Sequence, residues 1–119
     1  MKTIICDIDG TLVYYKRNTH GIVSASHDVL PGVVDKLNRW EMMGCRIILI
    51  TGRRENLRET TQKELTRLGI PFDVLLMGYA DTGRVLINDE ATKTKAHAVS
   101  LPRNEGFEEF NWESVGLIN

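Results

Sequence analysis

Asp7 and Asp9 stand two residues apart at the end of the apolar run Ile4-Ile5-Cys6, and Gly10-Thr11-Leu12 follows them. Two further clusters end apolar runs in the same way: Thr51-Gly52-Arg53 after RIILI, and Asn88-Asp89 after VLI. A carboxylate can attack phosphorus and form an acyl phosphate that water later cleaves, and Asp7 is placed for that task. A second acid can protonate the leaving oxygen and then activate the water, which suits Asp9. Gly10 lets the backbone approach a ligand closely. Thr51, the N–H groups after it and Arg53 suit the oxygens of a phosphoryl group. Three carboxylates in one place repel one another and need a cation. Oxygen-only ligands in a half-open site suit Mg²⁺.

Such residues act together only if the fold carries them to one edge. Thr3 to Asp7 reads as a short strand buried on both faces. Pro31 opens a helix, where its missing N–H costs nothing. Val33, Val34, Leu37, Trp40 and Met43 recur at helical spacing up to Gly44. Arg46 to Ile50 is a second strand. Glu55 to Leu68 is a second helix, with Leu57, Leu65 and Leu68 on its inner side and Gly69 and Pro71 beyond. Val74 to Met77 and Val85 to Ile87 read as third and fourth strands. The order predicts an α/β fold, a single Rossmann-like domain over 1–119 with a mostly parallel central sheet. In such sheets ligands bind beyond the carboxyl ends of the strands, where Asp7, Thr51-Gly52-Arg53 and Asn88-Asp89 would converge. Between the first strand and the first helix, 12–28 reads as a β-hairpin flap with Gly21 near its turn. The tail 91–119 is expected to pack on the core through Phe107, Phe110 and Trp112, with a short extra strand over 97–100.

At 119 residues the chain is long enough for one hydrophobic core. A net charge of −1 supplies no basic field, which argues against nucleic acid and anionic membrane as partners. No apolar run reaches the ~20 residues of a membrane span, and no signal peptide is read at the N-terminus, so a cytoplasmic location is expected. Cys6 and Cys45 belong to no metal or redox motif and read as small apolar core residues.

Cys6-Asp7-Ile8-Asp9-Gly10-Thr11-Leu12 resembles the first signature of the haloacid dehalogenase superfamily, Ile48 to Arg53 resembles the second, and Val85 to Asp89 the fourth. The resemblance runs from Met1 to about Glu90. It implies Mg²⁺-dependent phosphoryl transfer, with Asp7 as nucleophile and metal ligand. Asp9 would be the general acid/base and a metal ligand through its backbone carbonyl. Asp89 would be the third ligand, Asn88, Gly10 and Thr11 supporting residues, and Thr51 with Gly52 and Arg53 the phosphoryl-binding group. An acid at Asp9 points to phosphate-ester hydrolysis rather than dehalogenation. Family members carry a third-motif Lys or Arg, in many cases after Met-Gly, where this chain has Tyr79. Arg84 precedes the fourth strand and so falls at the wrong end of the sheet; Lys93 and Lys95 after the acidic turn, and Arg53 or Arg54, are the candidates for that role, with Lys93 favoured.

The gaps after the first and second motifs leave no room for the cap domain that many members insert. The flap, with Tyr14, Tyr15, Lys16 and His20, a large substrate or a neighbouring subunit of a homo-oligomer would then shield the site. The expected activity is a phosphomonoesterase acting on a small phosphorylated metabolite such as a sugar phosphate. A phosphatase for nucleic-acid ends or phosphoprotein, and a Mg²⁺- and phosphoryl-binding domain with weak catalysis, are the alternatives.

Overall fold

A computed structural model describes residues 2–15, 28–80, 82–91 and 94–119. Among them three parallel strands form one sheet in the order β1-β2-β3: β1 (Thr3–Asp7), β2 (Arg46–Ile50) and β3 (Val74–Leu76). Helix α1 (Val33–Met42) joins the first two strands, and α2 (Arg58–Leu68), entered through a 3₁₀ turn at Glu55–Leu57, joins the second and third. This is the expected α/β, Rossmann-like arrangement. Val33, Leu37 and Trp40 form the buried stripe of α1, and the helix ends at Gly44, whose φ of 94° is one that L side chains rarely adopt. Gly69 (φ 76°) ends α2 in the same way.

The register aligns the strand ends. Asp7 lies opposite Ile50, and Ile50 opposite Leu76. Thr51 is therefore the first residue past the rim beside Ile8, and Met77 the first past β3.

The expected fourth strand is absent from the described residues. Val85 and Ile87 are each 87% exposed, Leu86 is exposed, and β1 is left as a sheet edge with Ile5 half exposed. Just before this run, the Arg84 guanidinium reaches Asp7 at the carboxyl end of β1. A parallel strand over 85–87 would have to begin lower on the sheet and run up toward that rim, whereas Arg84 already stands at it. Residues 97–100 form no strand either. At the base of the expected flap, the Tyr14 N–H donates to the Asp28 carbonyl (3.1 Å) and the Leu30 N–H to that of Leu12 (2.8 Å), while Val13 bridges Val29 in antiparallel fashion. The rest of the flap, with Lys16, His20 and Gly21, lies outside the described residues.

The tail closes the core. Trp40 packs at 5.9 Å from Phe107 and 4.9 Å from Trp112, and Phe110 sits edge-on to Trp112 at 4.6 Å. The indole N–H groups are satisfied by main chain: that of Trp40 donates to the Ile118 carbonyl and that of Trp112 to the Phe107 carbonyl, each at 2.8 Å. Gly106 has a φ of 85° and presses against Pro31, where a Cβ would collide with the main-chain carbonyl oxygen.

Trp112→Ala should therefore cost about 3–5 kcal/mol of unfolding free energy, as for other large buried aromatics. Gly106→Ala should destabilise through both its positive φ and the collision with Pro31. Urea melts followed by circular dichroism check both, and a midpoint unchanged by Trp112→Ala would show that the tail is not part of the core.

Candidate active site

The turn after β1 is wound tightly. The Ile8 carbonyl accepts from the N–H groups of Thr11, Leu12 and Val13 at 3.2, 2.8 and 3.2 Å, and Gly10 (φ 83°) donates to the Val13 carbonyl at 2.8 Å. Ile8, Leu12 and Val13 are fully buried beneath it. Their burial fixes the turn and leaves Asp7 and Asp9 part-exposed on its upper side.

Among the described residues the Asp7 carboxylate receives two hydrogen bonds. Thr11 donates its hydroxyl to Oδ2 (3.2 Å), and Arg84 Nη1 donates to Oδ1 (3.1 Å). Arg84 is steadied in turn by the Tyr79 carbonyl, which accepts from Nη2 at 3.3 Å. The Tyr79 turn is itself tied to the second loop: its N–H donates to the Thr51 carbonyl (3.0 Å) and the Gly78 N–H to the Arg53 carbonyl (2.7 Å). Burial pushes the Asp7 carboxyl above its usual range. Arg84 and Thr11 oppose that shift, and the neighbouring charge of Asp9 adds to it. Beneath it, burial pushes the Cys6 thiol up to about 12, so Cys6 stays protonated and inert as a core residue.

Asp9 is held differently. Arg53 grips it with both arms of the guanidinium, Nε to Oδ2 at 3.0 Å and Nη2 to Oδ1 at 2.7 Å. The third nitrogen, Nη1, donates to Thr61 Oγ1 (3.3 Å) and Glu64 Oε2 (3.2 Å) on α2. The Arg53 side chain is only 2% exposed and that of Glu64 5%. Burial works against the charge of Arg53, but Asp9 and Glu64 outweigh it and hold the guanidinium protonated. Thr51 is buried, and its hydroxyl oxygen accepts from the Arg53 N–H at 3.1 Å.

Asp7, Asp9, Gly10, Thr11, Thr51, Gly52 and Arg53 thus gather at one rim, as their positions in the sequence imply. Three expectations change. Arg53, read as a phosphoryl contact, is turned inward onto Asp9 and Glu64 because a buried guanidinium requires anionic partners. Arg84, assigned to the far end of the sheet, stands at Asp7, because no strand carries the chain down the sheet after it. Asp89 does not join the two acids. It is exposed and its Oδ1 accepts from the Ala91 N–H within its own turn, while Asn88 donates to the Thr94 carbonyl. Among the described residues no three His, Cys, Asp or Glu side chains gather into a metal-binding group. Lys93 lies outside the described residues.

Glu64 and Thr61 went unnoticed in the sequence, although a signal existed. With Leu65 and Leu68 they complete one stripe at helical spacing, and a carboxylate on an inner stripe demands a buried cation. Arg103-Asn104-Glu105, a loop after Pro102 that the sequence leaves open between reaching the rim and shaping the tail, does reach it through Asn104. Its N–H donates to the Gly10 carbonyl (2.9 Å), and its side chain accepts from the Tyr15 N–H (2.6 Å) and donates to the Tyr15 carbonyl (3.3 Å).

An open cleft of about 1030 Å³ runs along the free edge of β1 and reaches Asp7, Asp9, Arg84 and Arg103. Acids at the end of a first strand, beside Thr51 and Arg53 at the end of the second, are the arrangement that the first and second signatures imply. The family model of the polynucleotide kinase PNKP phosphatase domain matches residues 1–95. The chain belongs to this family of haloacid dehalogenase-type phosphatase domains. Two solved structures resemble this PNKP-type domain at 30% identity and a TM-score of 0.58. One is the Pnkp1/Rnl/Hen1 complex, with 71% of this chain covered, and the other the Pnkp1/Rnl/Hen1 RNA repair complex, with 70% covered. This chain spans only 30% and 27% of those two chains. A crystal structure of a target protein from Vibrio cholerae shares the fold at 21% identity, with a TM-score of 0.52 and 77% and 83% of the two chains covered. A search of curated proteins finds no match. Among the described residues no helix is long and apolar enough to cross a membrane.

Replacing Arg53 by Met removes the guanidinium shared by Asp9 and Glu64. Breaking a buried ion pair from one side should cost about 3–5 kcal/mol, read as a lower midpoint in chemical denaturation. Asp7→Asn should behave in the opposite sense. A carboxyl whose pKa is raised by folding stabilises the fold fully at pH below the ordinary carboxylate range, and that contribution fades as pH rises through its folded value. At neutral pH the ionised Asp7 is a cost, so the metal-free Asp7→Asn variant should melt no lower than the parent. A lower melting temperature would mean that the pair with Arg84 outweighs burial.

Proposed function

We propose that the chain is a phosphomonoesterase that acts through a phosphorylated Asp7 and takes the phosphorylated end of a polynucleotide as its substrate. The observation that carries the reaction type is the placement of Asp7 at the carboxyl end of β1, open to the cleft, with Thr11 on one carboxylate oxygen and Arg84 on the other. The family match over residues 1–95 supports the substrate class, as does 30% identity to a chain of an RNA repair complex.

In the first step Asp7 attacks phosphorus, the P–O bond to the leaving group breaks, and Asp9 gives the leaving oxygen its proton. In the second, water loses its proton to Asp9 and attacks phosphorus, freeing phosphate and restoring the Asp7 carboxylate. Arg53 holds Asp9 in place for both proton transfers. Arg84 sits where it can follow charge from the nucleophile to the phosphoryl oxygens, and Thr51 lies at the adjoining rim. A cation beside the nucleophile, Arg84, supports turnover over the reading as a binding-only domain.

The donor set fits Mg²⁺. Asp7, Asp9 and Glu64 set three carboxylates against the two guanidiniums of Arg53 and Arg84, so a phosphate dianion needs further positive charge. Mg²⁺ is held in many sites by one or two protein ligands plus substrate phosphate and water. The Asp7 carboxylate and the Asp9 main-chain carbonyl would hold it, and the bound ion would neutralise nucleophile and phosphate together. Asp89, the third ligand implied by the resemblance, stands apart from this pair.

An aryl phosphate should be hydrolysed in the presence of Mg²⁺, with turnover lost on adding chelator or in Asp7→Asn. In a panel read by released phosphate, oligonucleotides carrying a terminal phosphate should be preferred over sugar phosphates. A clear preference for a sugar phosphate would overturn the substrate class, and unaltered turnover by Asp7→Asn would overturn the mechanism.

A further inference from the structure

We propose that Arg103 is a substrate-binding residue that contacts the polynucleotide backbone one phosphodiester away from the phosphate being removed. The proposal rests on the polynucleotide reading above. It concerns a part of the chain that the family match does not reach, since that match ends at residue 95.

Among the described residues two arginines, Arg84 and Arg103, line the cleft, and Arg53 lies buried behind Asp9; Arg53 and Arg84 are committed. Arg53 is buried between Asp9 and Glu64. Arg84 is paired with Asp7. Arg103 has no carboxylate partner among the described residues and is exposed at the mouth of the same cleft. Its position is nonetheless built. The guanidinium carbon lies 4.5 Å from the centroid of the Tyr15 ring, a cation–π arrangement that holds the charge without neutralising it. Its Cγ lies 3.1 Å from where a Cβ on Gly10 would be, so the stem runs over the turn that carries Asp9. The next residue fixes the loop. Asn104 adopts a φ of 65° and clamps Gly10 and Tyr15 through three hydrogen bonds.

A small aryl phosphate presents a single anionic group, which Arg84 and the rim suffice to meet. A polynucleotide presents a second phosphate along its backbone, and a fixed, uncompensated guanidinium beside the reacting end is suited to it. Such contacts release a counterion. Removing one should lower the salt dependence of binding by about 0.7 in log–log slope for a single strand.

Binding of a fluorescein-labelled, 3′-phosphorylated oligonucleotide is measured by anisotropy across a salt series, in the Asp7→Asn background so that nothing is turned over. Adding Arg103→Ala should weaken binding about tenfold at low salt and reduce the slope by roughly 0.7, whereas Arg103→Lys should keep the slope. In the catalytically intact chain, Arg103→Ala should lower kcat/KM for the oligonucleotide about tenfold more than for an aryl phosphate, with the difference in KM. An unaltered salt slope, or equal losses on the two substrates, would overturn the proposal and leave Arg103 a structural prop. If the slope falls as stated but the intact chain releases no phosphate, the binding role stands and the catalytic reading fails.

Discussion

One guanidinium holds the site together. Arg53 cannot shed its proton inside the protein, so its burial is tolerable only if anions surround it. Asp9 approaches from the turn after β1 and Glu64 from α2, and both meet the same planar fork. The arrangement joins two elements far apart in sequence. It also takes orientational freedom from Asp9, whose two oxygens face two fixed donors. In the proton-transfer role proposed for Asp9, being held within a fraction of an ångström of its working position would be an advantage, and the restraint comes from Arg53, which α2 anchors through Thr61 and Glu64.

The register of β1 on β2 does the complementary work for Asp7. Because Asp7 faces Ile50, the two turns that follow are neighbours, and main-chain hydrogen bonds from Gly78 and Tyr79 lash the third loop onto the second. Arg84 reaches Asp7 from this lashed loop. The two acids therefore meet different partners: Asp7 a part-exposed cation that can move with charge, Asp9 a buried one that cannot. The division of labour proposed for nucleophile and proton carrier would follow from that difference in burial more than from the two-residue spacing itself.

Much of this was legible in the chain. The strands at Thr3–Asp7 and Arg46–Ile50 are apolar runs broken by acids or Thr-Gly, and α1 and α2 carry helical stripes with glycine stops. Those local patterns suffice to bring Asp7, Asp9 and Thr51 to one edge. What was not legible is tertiary. VLI at 85–87 has the composition of a strand, but composition does not say whether a partner edge is within reach, and the Arg84 tether takes the segment away from the foot of β1. With that strand goes the delivery of Asp89, and Arg84 takes a place at the rim that a strand-first reading denies it. Arg53 looked like an anion contact because its inward partners, Thr61 and Glu64, are polar residues on a helix face judged by its leucines.

The tail shows how far a family signature falls short of a folded site. The matched region ends at residue 95, yet Trp40 of α1 is covered by Phe107 and Trp112, and its indole is satisfied by the Ile118 carbonyl. Gly106 presses on Pro31 at the entry to α1, and two residues earlier Asn104 grips Gly10 in the turn between the acids and Leu12. One short loop thus touches both the start of the first helix and the signature turn. A tail that left the core would take these Asn104 contacts away from the turn as well. In this chain part of the support of the acidic turn, the Asn104 contacts with Gly10 and Tyr15, is supplied by sequence outside the family match, which is where differences between members of one fold are free to arise.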